Sequence, residues 1–160
     1  MAISKGDKLP EATLFRMGES GPEKLGTPEL FAGKTAVVFS VPGAFTPTCS
    51  AKHLPGFVEK ADELKAKGVD LVACLAVNDP FVMQAWGEGA GADGKVEMLS
   101  DGNGEFAQAL GLEFDASGAG LGTRSQRFAM IVKDGKVEEL FVDAPGAFEV
   151  SSAEHVLDHL

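Results

Sequence analysis

Two runs of apolar residues, at 35–41 and 69–77, stand out in a chain whose other segments mix apolar and polar positions. Runs of this length are typical of parallel strands that are covered on both faces. The segment 51–67 lies between them and repeats apolar residues every three or four positions, which predicts an amphipathic helix. Pro55 cannot donate to the carbonyl four residues back, so we expect a kink or a break near the start of that helix.

Shorter apolar segments on both sides predict the rest of the fold. Strands are expected at 12–17, 96–100, 128–132 and 137–142, and helices at 27–33, from 80 through 86, at 105–110 and near the end of the chain. Glycines and a proline indicate a turn-rich interval at 18–26, and Asp134-Gly135 is a strong hairpin signal. Strand–helix repeats followed by a hairpin and a helix predict one α/β domain over residues 1–160, with a mixed central sheet flanked by helices.

Polar residues in front of the apolar segments predict where three helices begin. Thr27 is the expected N-cap of the first helix, and Asp79 with Pro80 offers a cap and a start for the helix that follows the second buried strand. Ser151 and Glu154 have the spacing of a capping box at the start of the last helix.

Composition and charge narrow the class of protein. The 160 residues, 44% of them apolar, suffice for one domain with a sizeable core. A formal net charge of −10 disfavours nucleic acid and anionic lipid surfaces as partners. With no long apolar segment, we expect neither a signal peptide nor a membrane span. Two cysteines without a C-x-x-C spacing do not form a secreted disulfide framework, so a cytoplasmic location is expected.

The most informative chemistry lies between the first buried strand and the helix that follows it. Cys49 falls where that helix should begin, and free backbone N–H groups and the helix dipole favour a thiolate there. Pro42, Gly43 and Pro47 predict a tight, stiff loop before it. Thr46, three residues before the cysteine, can share a pocket with Cys49 and both accept and donate hydrogen bonds. The pattern suits a nucleophile, although prolines and a threonine also begin ordinary helices.

Histidines and aromatic residues offer weaker signals. His53, four residues after Cys49, allows a Cys–His pair or half of a metal site. Because the sequence places no orienting carboxylate and too few further ligands, we expect a local hydrogen-bonding residue, and no metal or cofactor. His155 and His159 are expected to be exposed. Four aromatic residues are expected mostly in the core, with a minority at a pocket mouth or a dimer contact: Phe45, Phe57, Phe81 and Trp86.

Several separated segments carry a resemblance to a known family. The string PGAFTPTCS, which begins at Pro42, resembles the active-site motif of peroxiredoxins. The strings HLPGFVEKADELKAKGV, VNDPF and SQRFAMIVKDGKV resemble the type II, or peroxiredoxin V, subfamily, which includes glutaredoxin-dependent members. The segments agree in order and spacing over nearly the whole chain. The resemblance implies a thioredoxin-like fold and a thiol-dependent peroxidase.

The resemblance also implies roles for individual residues. Cys49 would attack a hydroperoxide and become a sulfenic acid, with Thr46 and Arg127 positioning the peroxide and Pro42 limiting access of water. Arg127 directly precedes the FAMIV segment and so matches the family's arginine, whereas Arg124 is a candidate for a supporting place only. A guanidinium fork can donate to a thiolate and a peroxide oxygen together. Without the family match, either arginine would be taken for an ordinary surface charge.

The second cysteine bears on how the enzyme is regenerated. Cys74 falls in the middle of an apolar strand, where a thiol is buried and poorly ionised. Type II relatives can carry a resolving cysteine at this place, and others carry one near the C-terminal end, where this chain has Val-Ser-Ser at 150–152. We expect a one-cysteine cycle, with glutathione and glutaredoxin, or thioredoxin, as the reductant.

Two other functional classes stay open from the residues alone. One is a non-catalytic thioredoxin-fold module that senses peroxide or binds partners, and the other is a Cys–His acyl-transfer enzyme. The joint presence of Thr46, Cys49 and Arg127 favours the peroxidase. The resemblance also implies a homodimer.

Overall fold

The computed structural model describes residues 2–160 and has a mixed sheet at its centre. The strands are β1 Thr13–Gly18, β2 Gly21–Gly26, β3 Thr35–Val41, β4 Leu71–Ala76, β5 Glu97–Ser100, β6 Glu113–Asp115, β7 Thr123–Ser125, β8 Phe128–Lys133 and β9 Lys136–Val142. The helices are α1 Thr27–Phe31, a π-helical turn Cys49–His53 that continues into α2 Leu54–Ala66, α3 Pro80–Gly89, α4 Glu105–Leu110 and α5 Ala153–Leu157, with a 3-10 turn at Ser117–Ala119.

Seven strands form the central sheet in the order β2-β1-β5-β4-β3-β8-β9, and β6 pairs with β7 in a separate small sheet. The pairs β3–β4 and β4–β5 are parallel, and the other pairs are antiparallel. This mixed sheet flanked by helices confirms the predicted α/β, thioredoxin-like fold. Within residues 2–160, no helix has both the length and the apolar character needed to cross a membrane.

Strand β3 lies at the centre of the core because helices cover both of its faces. Val37, Phe39 and Val41 belong to a cluster that includes the apolar faces of α2, α3 and α5. Ala36 and Val38, on the alternate positions, belong to a second cluster with α1 and α4. The continuous apolar run is therefore the pattern of a strand buried on both sides, as the sequence predicted.

Three strands had no signal in the sequence. β2 lies in the interval expected to contain only turns, and it pairs with β1 from Gly26 opposite Thr13 to Gly21 opposite Gly18. β6 and β7 pair from Glu113 opposite Ser125. Most residues of these strands are at least partly exposed, so no alternation of apolar residues marks them.

Two predicted helix caps have other partners in the structure. Thr27 is the first residue of α1 rather than its cap, and its hydroxyl bonds the backbone of the segment before β1. Ser152, not Ser151, caps α5 by accepting from the N–H of His155. The hydroxyl of Ser151 donates instead to Asp143. Tertiary partners have thus taken both predicted caps, whereas Asp79 caps α3 as expected.

Candidate active site

Cys49 begins the π-helical turn and is fully buried, with 0% of its surface exposed. The N–H of Leu54 donates to the Cys49 carbonyl five residues back, which widens the turn. Pro55 follows and has no N–H to donate, so the irregularity expected at this proline takes the form of the π turn. The indole N–H of Trp86, from α3, donates to the hydroxyl of Ser50 at 2.9 Å. The turn that carries the cysteine is therefore tied to a second helix.

The loop before the cysteine is held by short hydrogen bonds. Thr46 Oγ1 donates to the Gly43 carbonyl at 2.7 Å, so its hydrogen is engaged and its lone pairs can only accept. The sequence predicted that Thr46 could both donate and accept a hydrogen bond in the site, whereas in the structure only its acceptor capacity is free. A Cβ at Gly43 would lie 2.8 Å from Arg124 Nη1, so glycine leaves room for the Arg124 guanidinium in its present position. The side chain of Asn78 accepts from the N–H of Ala44 at 2.9 Å.

Arg127 reaches the cysteine because of the strand order. β8 begins directly after it and lies beside β3, with Phe128 opposite Ser40. The end of β3, which leads into the loop, is thus next to Arg127. Arg127 Nη2 donates to Cys49 Sγ at 3.1 Å across 78 residues of sequence. Arg124 does not reach the sulfur and donates from Nη1 to the Pro42 carbonyl at 3.1 Å, so it supports the loop.

His53 has a larger part in the site than the sequence suggested. It is fully buried, and its Nδ1 lies 2.8 Å from Arg127 Nη1, not in a hydrogen bond with Cys49. Its Nε2 lies 2.9 Å from the Ser151 carbonyl. Burial first, and then the charge of Arg127, lower the pKa of His53 from 6.5 to about 3, against the opposing effects of the Ser151 carbonyl and Asp143. The imidazole is neutral at neutral pH, and the Cys–His pair considered from the sequence is not formed.

The other two histidines, His155 and His159, lie near the end of the chain. His155 is half-buried against the ring of Phe141, with centroids 4.6 Å apart, so the expectation that it is exposed was wrong. His159 is exposed. Residues 2–160 contain no group of three or more side chains that could hold a metal ion.

The depressed pKa of His53 predicts loss of stability in acid. Below pH 6.5 the unfolded chain takes up a proton that the folded chain does not, so stability falls as pH falls toward 3. Between pH 7 and pH 5 this group should cost about 2 kcal/mol of unfolding free energy. Urea unfolding at both pH values is the measurement. In His53→Asn the difference should shrink by that amount, and in the control His159→Asn it should not. Equal acid sensitivity of the wild type and His53→Asn would refute the assignment of this stability loss to His53.

Cys74 lies in the sheet near Cys49, but its surroundings do not favour a reactive thiolate. It lies in β4 opposite Phe39 of β3, is fully buried, and is a free thiol like Cys49. Burial, reinforced by the nearby Cys49, raises the pKa of the Cys74 thiol well above its ordinary value, with Arg127 opposing. A thiol in this environment is a poor nucleophile.

A cavity of about 290 Å³ lies beside the fully buried Cys49, with its sequence neighbour Thr48 and its partner Arg127 in the wall. It is lined by Pro42, Thr46, Pro47, Thr48, Phe114, Leu121, Gln126, Arg127, Asp143, Ala144, Pro145, Gly146 and Ala147. Phe114 lies in β6, so the small sheet without a sequence signal contributes an apolar part of the wall. The structure thus places a cysteine sulfur beside a guanidinium and next to a cavity, an arrangement suited to the transfer of one oxygen atom from a peroxide to the sulfur. Fold and site together define a cysteine-dependent peroxidase.

Comparisons with known proteins agree with that class. The Redoxin family model matches residues 4–157. Chloroplastic peroxiredoxin-2E-2 of Oryza sativa subsp. japonica is 55% identical over 163 residues, which cover 99% of this chain and 72% of that protein. Peroxiredoxin-2B of Arabidopsis thaliana is 48% identical over 159 residues, which cover 99% of this chain and 98% of that protein. Reduced Prx3 of Vibrio vulnificus, solved in complex with hydrogen peroxide, has a TM-score of 0.95 at 54% identity, covering 98% of both chains.

The chain therefore belongs to the redoxin family, as a type II peroxiredoxin. It is an oxidoreductase that reduces peroxides with a cysteine thiol. The predicted family and enzyme class are confirmed, and the non-catalytic module is not favoured.

Proposed function

We propose that Cys49 is the peroxidatic nucleophile. Its thiolate attacks one oxygen of a hydroperoxide and the O–O bond breaks. The sulfur keeps that oxygen as a sulfenic acid, and the other oxygen leaves with the bonding electrons and takes a proton to become water or an alcohol. The observation that carries this assignment is the hydrogen bond of 3.1 Å from Arg127 Nη2 to Cys49 Sγ.

The side chains around the sulfur have complementary parts in the proposal. One arm of the Arg127 fork is engaged by His53, so Nη2 alone faces the sulfur and its second N–H is available to the leaving oxygen. Thr46 accepts from the O–H of the peroxide, because its own hydrogen is engaged. Pro42 lines the cavity and limits access of water. Hydrogen peroxide is a fitting substrate because the similar Vibrio Prx3 was solved with it. The apolar wall also admits organic hydroperoxides.

We propose glutathione with glutaredoxin, or thioredoxin, as the reductant. An external thiol attacks the Cys49 sulfenic acid, releasing water and forming a mixed disulfide. A second external thiol then attacks the first external sulfur, so that the two external thiols leave as a disulfide and Cys49 is released as a thiol. The alternative is an internal disulfide with Cys74. Cys74 is fully buried in the sheet and its thiol is poorly ionised, so it would need local unfolding to meet an oxidised Cys49.

The test compares the wild type with Cys74→Ser. Peroxide consumption is measured with glutathione plus glutaredoxin and, separately, with thioredoxin and its reductase. We expect Cys74→Ser to keep at least about half of the wild-type turnover, because a buried thiol that takes no part in the cycle is replaced by a group of similar size. A folded variant that fails with both reductants would exclude the one-cysteine cycle. Failure of the wild type with every reductant would favour a sensing module.

We also propose that the chain forms a homodimer. Phe45, in the loop before Cys49, is 60% exposed, and Phe81, in the first turn of α3, is 61% exposed. Phe45 has a φ of 65°, a strained value for a residue that is not glycine, so its outward position is held at a cost. Covering two such rings suits contact with a second copy. Sedimentation velocity of the wild type and of a Phe45→Ser/Phe81→Ser variant tests this, since the variant should sediment as a monomer.

The proposed cytoplasmic location is supported by two free thiols, which fit a reducing compartment. Cell fractionation would test it, and recovery of the protein in an oxidising compartment would contradict it.

A further inference from the structure

We propose that Asp143 is a positioning residue for the peroxidase reaction, acting through His53. Asp143 holds the segment 143–151 so that the Ser151 carbonyl fixes the tautomer of His53 that accepts a hydrogen bond from Arg127. This inference rests on the proposed roles of Arg127 and Cys49.

The first step is the closure of the segment by the Asp143 carboxylate. Asp143 follows β9 and is 4% exposed. Its Oδ1 accepts from the backbone N–H groups of Glu149 and Val150 at 3.0 and 2.9 Å. Its Oδ2 accepts from the N–H and the hydroxyl of Ser151 at 3.3 and 2.5 Å. One carboxylate thus fixes the end of the segment against its beginning.

The same carboxylate stays ionised although it is buried. Burial opposes the charge, but the hydrogen bonds from Ser151, Val150 and Glu149 outweigh it and hold the pKa of Asp143 below its usual value. The N–H of Asp143 also donates to the Arg127 carbonyl at 2.9 Å. The anchor of the segment is therefore attached to the backbone of the arginine itself.

The second step is what the closed segment presents to His53. The Ser151 carbonyl lies 2.9 Å from Nε2, and a carbonyl can only accept. A neutral imidazole has one N–H, so its hydrogen must be on Nε2 and its lone pair on Nδ1. That lone pair faces Arg127 Nη1 at 2.8 Å. With the hydrogen on Nδ1, two donors would face each other and Arg127 would lose its partner.

The segment also encloses the pair. The ring of Phe148 lies 4.9 Å from the His53 ring between centroids, and the Arg127 guanidinium carbon lies 5.7 Å from the Phe148 centroid. Because the guanidinium is planar, a bond at Nη1 also fixes the direction of Nη2, which faces the sulfur. Directional hydrogen bonds therefore connect Asp143 to Cys49 by way of Ser151, His53 and Arg127.

The first test separates peroxide reactivity from general thiol reactivity. In Asp143→Asn we expect the rate constant for oxidation of Cys49 by hydrogen peroxide to fall at least about tenfold, the scale of one misplaced charge-assisted hydrogen bond. The rate constant for alkylation of Cys49 by iodoacetamide should change less than about threefold, because this reaction does not need Arg127 to position a peroxide. The matched control is Asp101→Asn, which removes another buried carboxylate that accepts two backbone N–H groups, in this case at the start of α4.

The second test uses His53 variants to show that Asp143 acts through the tautomer. An asparagine amide oxygen can stand at the Nδ1 position and has no tautomers, whereas glutamine places its amide near the Nε2 position. We expect His53→Asn to retain more peroxidatic rate than His53→Gln. In the His53→Asn background, adding Asp143→Asn should cost less than about a further twofold.

Direct observation of the tautomer keeps the inference testable if a variant does not fold. Long-range ¹H–¹⁵N spectra of histidine-labelled wild type should show His53 with its hydrogen on Nε2. A hydrogen on Nδ1 would overturn the inference, as would equal peroxide rate losses for Asp143→Asn and Asp101→Asn. An undiminished cost of Asp143→Asn in the His53→Asn background would instead assign Asp143 to the cavity it borders. Near-normal rates in Arg127→Lys would refute the proposed role of Arg127 in the site, and this result is distinguishable from a failure of the Asp143 inference alone.

Discussion

Replacing Cys49 with serine is expected to abolish peroxide consumption, with a loss of at least about 10³-fold in turnover. A serine hydroxyl is not ionised at neutral pH, and it cannot take up an oxygen atom in a form that thiols reduce. The substitution keeps the shape of a fully buried residue, and the donor from Arg127 still has an oxygen to bond. The fold should therefore survive while the chemistry is lost.

The matched control is Cys74→Ser, the same substitution at the other fully buried cysteine. Peroxide consumption is followed for both variants with each reductant, and near-identical circular dichroism establishes that both are folded. Retention of more than a small fraction of the activity in Cys49→Ser would show that Cys49 is not the nucleophile.

Arg127→Lys is expected to lower the rate constant for oxidation of Cys49 by about 10²- to 10³-fold, the usual cost of removing one donor to a developing charge. Lysine keeps the positive charge but has no planar fork, so it cannot hold His53 Nδ1 and Cys49 Sγ in their present directions. Single-turnover oxidation can be followed by the fluorescence of Trp86, the only tryptophan, whose indole bonds the residue next to Cys49.

Arg124→Lys is the matched control for that experiment. Arg124 bonds the Pro42 carbonyl and not the sulfur, so the same exchange should cost less than about tenfold. Near-normal oxidation of Arg127→Lys would remove Arg127 from the catalytic site. Equal losses in the two variants would show that the rate falls because the loop before Cys49 loses support, not because a donor to the sulfur is lost.

The local parts of this molecule could be predicted from its sequence. The apolar run of β3, the amphipathic pattern of α2 and the proline-rich loop between them place Cys49 near a helix start without any tertiary information. The hairpin between β8 and β9 follows from Asp134-Gly135, whose φ values of 49° and 77° suit the tight turn.

The contacts across the fold could not be derived in the same way. Arg127 meets Cys49 only because β8 pairs with β3, and without the family resemblance no pattern indicates that pairing. The roles of Asp143 and Ser151 depend on a segment that folds back toward His53. The one signal for His53 was its spacing from Cys49, and it suggested a direct pair instead of a bond to the arginine.

The most direct test of the account is intact-mass analysis of the reduced wild type after one equivalent of hydrogen peroxide, with dimedone present to trap sulfenic acid. The account predicts one dimedone adduct per chain, located at Cys49 by peptide mapping, and an unmodified Cys74. The contradicting result is a loss of two hydrogen atoms with a Cys49–Cys74 disulfide, or a Cys49 that peroxide leaves unmodified.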